Sequence, residues 1–277
     1  MDASLTFVGT ATTILRLGPF TVLTDPNFLH RGQRVHLGYG LTSRRRTDPA
    51  VEPEDLPPLD AVLLSHLHGD HFDRVARERL DRSVPVVTTE HAARRLGRWG
   101  FSPVGLPTWE AWTTASTDGR DALRVTAVPA RHGPAVLHRA LPPVMGSVLD
   151  LVRDGHRVLR VYVTGDTVPF DDLATVPGRL PGIDVMVAHL GGTSIGGVVV
   201  TMDDRMGADL VETIAPGTTV PVHYDDYPVF RSPLTHFLDE MRRRGLRDGV
   251  QVVPRGQTRP LPARVSRPER VTGDAAG

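Results

Sequence analysis

The sequence predicts an α/β (α+β) protein in which two β-sheets pack face to face and helices cover their outer sides. Short β-rich runs fill the first 25 residues and much of the middle of the chain, whereas helix and strand patterns alternate in the last third. The chain has 277 residues, of which 40% are apolar, so it can bury a sizeable core. We expect residues 1–261 to form a single domain, and residues 262–277, which lack a core pattern, to form a flexible tail.

The first hundred residues are predicted to be mostly strand. Strands are expected over 5–8, 13–15, 22–23, 61–64 and 84–87, and helices from Asp73 and over 90–96. Pro85 cannot donate a ladder hydrogen bond, which predicts an edge position for its strand. The polar, proline-rich stretch from Pro26 to Leu59 is longer than most connections, so we expect a functional loop that helps to shape a pocket.

The middle of the chain contains further strands, and the last third adds two helices. The predicted strands cover 123–128, 144–152, 158–163 and 183–188. A helix is expected over 201–214, because Met206, Leu210 and Ile214 share one face. Ser232 followed by Pro233 predicts the N-cap and first residue of the second helix.

Charge and residue usage exclude several kinds of chemistry. The chain has 32 basic and 32 acidic residues, so no net field attracts nucleic acid or an anionic membrane. It has no cysteine, which excludes disulfides and thiolate ligands, and no lysine, which excludes Schiff-base chemistry. A metal site would have to use carboxylates and some of the 12 histidines. The amino terminus lacks signal-peptide features and no apolar run has membrane-helix length, so we expect a cytoplasmic protein.

The densest group of chemically active residues follows the predicted strand 61–64. Within the segment 65–71, His66 and His68 are two residues apart and point to the same side of an extended chain. Asp70 and His71 follow Gly69, which permits a tight turn. Four metal-binding groups in six residues need partners of their own, so a cation site explains them better than a surface histidine-rich turn does.

The pattern His-x-His-x-Asp-His after an apolar strand resembles the signature of the metallo-β-lactamase superfamily. Later strand ends supply the remaining positions of that family in order, and the resemblance spans roughly residues 4–257. It implies a four-layer αββα sandwich with two metal ions at one edge of the sheets. It assigns the first metal to His66, His68 and His132, the second to Asp70, His71 and His223, and the bridging position to Asp166.

The resemblance also implies a chemistry. Imidazole and carboxylate ligands suit two divalent ions, Zn²⁺ first and Mn²⁺ as the alternative. Two carboxylates leave positive charge that favours a metal-bridging hydroxide as nucleophile and an anionic substrate. Asp70, or a water beside it, is expected to receive and return the proton. The short motif and the Pro-Val-His-Tyr ending around His223 look most like the branch of L-ascorbate-6-phosphate lactonase and N-acyl phosphatidylethanolamine phospholipase D.

Residues outside the ligand set are candidates for supporting roles. Asp25 is expected to reach the metals or to orient a ligand histidine, the alternative being a turn before Pro26. His189 ends the predicted strand 183–188, and either lines the pocket as a proton donor or is a buried structural histidine. Further candidates to border the site or to bind an anion are Arg131, Tyr224, Asp226 and the run Arg44–Arg46.

The sequence therefore predicts a binuclear metal-dependent hydrolase acting on a small, anionic lactone, ester or phosphodiester. A non-catalytic metal-binding or ligand-sensing protein on the same scaffold is the alternative, and a nucleic-acid-processing phosphodiesterase is a third. The expected partner is a small-molecule substrate, with no nucleic acid and no membrane. Members of the resembled branch often assemble, so a homo-oligomer is also expected.

Overall fold

The fold is built on two mixed β-sheets. The computed structural model describes residues 2–38, 40–134, 141–195, 197–262 and 269–270. The first sheet has the order β17-β1-β2-β3-β6-β7-β8. It is antiparallel from β17 to β3 and parallel from β3 to β8. Its strands are β1 (Ala3–Gly9), β2 (Thr12–Leu17), β3 (Phe20–Thr24), β6 (Ala61–Leu63), β7 (Pro85–Thr88), β8 (Ser102–Gly105) and β17 (Thr258–Pro260).

The second sheet has the order β16-β13-β12-β11-β10-β9, and the short β18 pairs with β12. Strands β9 to β12 are antiparallel, whereas β12, β13 and β16 are parallel. Its strands are β9 (Ala111–Ala115), β10 (Asp121–Val128), β11 (Gly146–Arg153), β12 (His156–Val163), β13 (Val185–His189), β16 (Thr218–Val222) and β18 (Glu269–Arg270). Of the predicted tail, 269–270 thus form a strand, while 263–268 and 271–277 lie outside the described residues.

The two sheets bury their facing sides against each other. Leu5 and Leu15 of the first sheet belong to the same core as Leu149 and Val161 of the second. Helices α1 (Arg74–Arg79) and α2 (Glu90–Arg98) cover the outer face of the first sheet. Helices α3 (Thr175–Arg179), α4 (Asp204–Ile214) and α5 (Leu234–Arg243) cover the outer face of the second. The four-layer αββα sandwich predicted from the sequence is therefore confirmed. No helix in the described parts of the chain is long and apolar enough to cross a membrane.

Two local predictions about proline are wrong. Strand β7 lies between β6 and β8 and is not at an edge; Pro85 is its first residue, where a missing N–H is tolerated. Helix α5 begins at Leu234 with Pro233 as its N-cap. Ser232 instead accepts a hydrogen bond from the backbone N–H of Asp204 at 2.9 Å, so its hydroxyl supports the start of α4.

The long 26–59 segment contains structure that its composition concealed. It holds the hairpin of β4 (Arg34–Gly38) and β5 (Leu41–Arg44) and a 3₁₀ turn at Pro53–Asp55. A second small hairpin is formed by β14 (Ser194–Ile195) and β15 (Val198–Val199). The backbone N–H of Gly69 donates to the carbonyl of His36 in β4 at 3.2 Å, and a Cβ on Gly69 would lie 2.4 Å from that oxygen. Gly69 is therefore required for close backbone approach to the hairpin.

Candidate metal centre

The seven predicted metal ligands lie together in loops that leave strands of both sheets. The segment after β6 carries four of them, and the loops after β10, β12 and β16 carry one each. All seven residues are buried. In the second sheet, β13 lies between β12 and β16 and is parallel to both, so the carboxyl ends of these three strands meet at one edge of the sheet. The seven candidate ligands are His66, His68, Asp70, His71, His132, Asp166 and His223.

Three histidines form the first group of possible donors. The donor atoms of His66, His68 and His132 lie within 4.8 Å of one another. Nε2 of His66 is 2.9 Å from Nδ1 of His68, so these two nitrogens face each other and would both be available to one ion. Nδ1–H of His132 donates to the carbonyl of Val200 at 2.9 Å, which leaves its Nε2 as a lone-pair donor.

Two carboxylates and two histidines form the second group. The donor atoms of Asp70, His71, Asp166 and His223 also lie within 4.8 Å of one another. Nε2 of His71 is 3.4 Å from Oδ2 of Asp166, and Nε2 of His223 is 3.3 Å from Oδ2 of Asp70. Nδ1–H of His223 donates to the carbonyl of Leu190 at 3.0 Å, so a backbone oxygen fixes the orientation of this ring.

Several atoms of the second group have no hydrogen-bond partner among the described residues. Oδ1 of Asp70, Nε2 of His71 and Oδ1 of Asp166 are buried and unpartnered. A buried polar atom without a partner is costly, and three such atoms in one group require a ligand that satisfies them together. Divalent cations with nitrogen and oxygen ligands fit this donor set.

The electrostatics of the cluster favour a cation. Burial would raise the pKa of Asp166, but His223 and His71 outweigh it and hold that pKa well below its ordinary value. Burial would lower the pKa of His71, whereas Asp166, Asp25 and Asp70 raise it well above its ordinary value. In the first group, burial lowers the pKa of His68 to about 4. The carboxylates thus create a negative potential, while His68 stays neutral with a lone pair available.

Asp25 supports the cluster from behind. Its Oδ1 accepts hydrogen bonds from the backbone N–H of Ser65 at 2.7 Å and from the Ser65 hydroxyl at 3.0 Å. Its Oδ2 lies 3.3 Å from Nδ1 of His71 and 3.1 Å from Nε2 of His189. Burial would raise the pKa of Asp25, but the two histidines outweigh it and keep the carboxyl ionised. Asp25 therefore orients Nε2 of His71 towards the second group.

A cavity of about 150 Å³ opens onto the two groups. His68, Asp70, His132 and Asp166 contribute to its lining, so both groups are accessible from it. Its other lining residues come mainly from the two hairpins and are apolar or hydroxyl-bearing: Leu37, Leu41, Thr42, Thr193, Ser194, Val200 and Val229. No arginine is among the described lining residues.

Comparison with known proteins places this arrangement in a family. The Beta-lactamase superfamily domain matches residues 21–224, which include all seven ligand positions. The chain belongs to this superfamily. A protein of Exiguobacterium named UPF0173 metal-dependent hydrolase is 28% identical over 246 residues, covering 88% of this chain and 95% of the relative.

Solved structures of metal-dependent and other hydrolases superpose on nearly the whole chain. A possible metal-dependent hydrolase from Veillonella parvula superposes with a TM-score of 0.79 at 22% identity, covering 94% of this chain and 100% of that one. The isothiocyanate hydrolase from Delia radicum gut bacteria superposes with a TM-score of 0.76 at 19% identity, with the same coverage. At these identities the likeness establishes the fold.

Within the superfamily site, His189 does not line the cavity. It is fully buried, its ring stacks on His71 with centroids 5.9 Å apart, and its Nδ1 lies 3.3 Å from the Thr164 hydroxyl. Its Nε2 contacts the Asp25 carboxylate, and no face of its ring reaches solvent. This arrangement agrees with the alternative of a buried structural histidine and not with a proton donor that lines the pocket.

Arg131 and Tyr224 are also absent from the cavity lining. The guanidinium of Arg131 stacks on Phe170 at 4.6 Å, on the helix-covered side of the second sheet. The ring of Tyr224 packs against Phe7 with centroids 6.0 Å apart, in the core between the sheets. Both side chains turn away from the ligands that precede or follow them, so their expected contact with substrate is corrected.

Asp226 and the Arg44–Arg46 run have structural roles. Asp226 is fully buried and accepts a hydrogen bond from the backbone N–H of Thr10 at 2.7 Å, while Nη2 of Arg255 donates to it at 3.0 Å. Arg45 is buried, 3.4 Å from the same carboxylate, and donates to the carbonyl of Asn27 at 2.9 Å. Arg44 and Arg46 are exposed and do not line the cavity. Arg45 therefore holds the base of the β4–β5 hairpin against the loop that carries Asp226, and the other two arginines of the run lie outside the cavity.

Two hydroxyl groups that contact the candidate ligands were not predicted from the sequence. The Ser65 hydroxyl contacts Nδ1 of His66 at 3.0 Å, and the Thr201 hydroxyl donates to Oδ2 of Asp166 at 2.9 Å. Ser65 is adjacent to the histidine motif, so its position was a usable signal. Thr201 offered none, because its contact with Asp166 is created by the fold.

Proposed function

We propose that the protein is a binuclear metal-dependent hydrolase of small molecules. The observation that carries this proposal is the juxtaposition of two buried donor groups, one of three histidines and one of two carboxylates and two histidines, beside a single cavity. Two ions held a few ångströms apart would polarise the scissile group and lower the pKa of an attacking water. Zn²⁺ is the expected metal and Mn²⁺ the alternative, since both accept nitrogen and oxygen ligands.

The residues divide between holding the ions and handling the proton. His66, His68 and His132 would hold one ion, Asp70, His71 and His223 the other, and Asp166 would bridge them. Asp70 lines the cavity, and its Oδ1 is unpartnered. The oxygen of this carboxylate that is not bound to an ion would accept the proton of the attacking water and return it to the leaving group.

The cavity supports an ester, lactone or phosphodiester as substrate. Its volume of about 150 Å³ admits only the reacting part of a small molecule. Leu37, Leu41, Val200 and Val229 provide apolar walls, while Thr42, Thr193 and Ser194 offer hydroxyl groups that can hydrogen-bond carbonyl or phosphoryl oxygens. These are the bond classes of the lactonase and phospholipase D branch that the sequence resembles.

The metal assignment is tested by elemental analysis of purified protein. Wild type is expected to hold two equivalents of metal, whereas His66→Ala and Asp166→Ala remove a ligand and should hold less. His236→Ala, which changes an exposed histidine on α5, is the matched control and should retain both. Undiminished metal in both ligand variants would contradict the assignment.

The activity is tested with metal-loaded protein and a panel of nitrophenyl esters, nitrophenyl phosphodiesters and lactones. Turnover of one class that Asp70→Asn lowers by about 100-fold or more, while the variant still holds both equivalents of metal, would support the role of Asp70 in proton transfer. Absence of turnover across the panel at full metal loading would contradict hydrolysis of these classes and favour the non-catalytic metal-binding alternative.

A further inference from the structure

We propose that a second cleft, on the other side of His68, binds an oxyanion group carried by the substrate. The cleft has a volume of about 500 Å³ and lies between the β4–β5 hairpin and helices α1 and α2. Its lining includes Leu67, His68, Phe72, Arg77, Arg95 and Trp99. This subsite rests on the proposed hydrolase function, but its affinity for an anion can be measured separately.

Two arginines converge on one indole in this cleft. The guanidinium carbon of Arg77 is 4.1 Å from the centroid of the Trp99 ring, and that of Arg95 is 5.7 Å away. Both charges therefore lie within about 10 Å of each other, which is about one Debye length at 0.1 M salt. Within the described residues, neither guanidinium forms an ion pair or a hydrogen bond. An anion between them would relieve their repulsion and occupy their donors.

The cleft is adjacent to the metal centre and is joined to it by packed rings and a shared lining residue. Trp99 stacks on Phe72 with the ring planes 18° apart, and Phe72 directly follows the ligand His71. Phe72 is buried among the residues that join the first sheet to α1 and α2. His68 lines both the cleft and the metal cavity. A molecule could thus place its reacting group on one side of His68 and a remote group on the other.

The two spaces are complementary in charge. The described lining of the metal cavity has no arginine, whereas the cleft offers two. A guanidinium binds carboxylate, phosphate or sulfonate oxygens through two parallel N–H donors. The apolar side chains of Leu67 and Phe72 also line the cleft, so it fits an oxyanion attached to an apolar moiety. This supplies the attraction for an anionic substrate that the predicted Arg131 and Arg44–Arg46 do not.

Binding is tested on the metal-loaded protein with benzoate, phenyl phosphate and benzenesulfonate, against uncharged benzyl alcohol. Trp99 reports binding by its fluorescence, and Trp99→Phe identifies its share of the signal. The double variant Arg77→Ala/Arg95→Ala is expected to bind the anions about tenfold or more weakly. Arg94→Ala, which removes an exposed charge from the same helix outside the cleft, should bind as wild type does. Weakening of one anion class alone identifies which oxyanion the cleft takes.

A kinetic comparison then links the cleft to substrate. The double variant is expected to raise KM for an anionic nitrophenyl ester, such as the glutarate half-ester, about fivefold or more, and to leave the uncharged butyrate ester within about twofold. Equal anion binding by wild type and the double variant, or equal weakening in Arg94→Ala, would overturn the subsite. Anion binding that depends on both arginines in a protein without esterase activity would uphold the site and count against the proposed hydrolysis instead.

Discussion

Replacing Asp25 by asparagine tests how the second metal group is oriented. Asparagine keeps the volume and one carbonyl oxygen, so the 2.7 Å hydrogen bond from the backbone of Ser65 can persist. The other oxygen faces His71 at 3.3 Å and His189 at 3.1 Å. In the asparagine variant an uncharged amide replaces this charged oxygen, so the two histidines lose their anionic partner. His71 then either leaves its Nδ1–H without an anionic acceptor or moves the proton to Nε2, the atom that faces Asp166.

Each of these outcomes weakens metal binding by the second group. A hydrogen bond to a charged partner contributes about 1.5–3 kcal/mol, and about 1.4 kcal/mol corresponds to tenfold in affinity. Loss of metal-supporting partners commonly lowers affinity by about 10–100-fold. We therefore expect Asp25→Asn to weaken one of the two metal equivalents by that factor and to change the other by less than threefold or so.

Competition with a chromophoric chelator, followed by elemental analysis of the protein, measures both equivalents. Asp60→Asn is the matched control, because its exposed carboxylate accepts a backbone N–H from Thr21 at 2.7 Å far from the ligands. Two equivalents held by Asp25→Asn with wild-type affinity would refute the orienting role. Equal weakening of both equivalents would refute the division of the ligands into two groups.

Three further substitutions probe other parts of the molecule. Thr201→Val removes the hydroxyl that donates to Asp166 and should lower metal affinity about tenfold in the same chelator competition. Unchanged metal affinity in this variant would contradict a supporting role for the hydroxyl. Arg45→Ala leaves buried Asp226 without one of its cations, so urea unfolding should show a loss of about 3 kcal/mol or more, and a loss below 1 kcal/mol or so would contradict a structural ion pair. Phe237→Ala empties the core between α5 and the second sheet, and should cost about 3–5 kcal/mol while the metal content stays unchanged; loss of metal would show that the layers are coupled.

The clustering of the seven candidate ligands was predictable because their signals are local. Four donors follow one buried strand, and His132, Asp166 and His223 each follow a β-rich run, so residue type and strand end suffice to place them near one edge. The layer order also followed from local patterns, since the spacing of apolar residues indicates which face of each strand or helix is buried.

The features that sequence reasoning missed depend on contacts between distant parts of the chain. Arg45 looks like part of a solvated charge run, and only the packing of Asp226 against it explains its burial. The cavity walls contain Leu37 and Leu41, which lie in a proline-rich stretch without an evident strand pattern. His189 was correctly placed at a strand end, but the direction of its side chain depends on Asp25, which no local pattern encodes.

The origin of the ligands in both sheets has a consequence for how the molecule comes apart. The segment after β6 extends from the first sheet, whereas His132, Asp166 and His223 extend from the second. In the proposed ligand set each ion would therefore cross-link the two sheets of the sandwich. Separation of the sheets must release the ions, so the free metal concentration adds RT ln(1 + [metal]/Kd) per site to the work of unfolding. The resistance of this protein to heat or proteolysis is therefore expected to rise with the concentration of free metal in its surroundings.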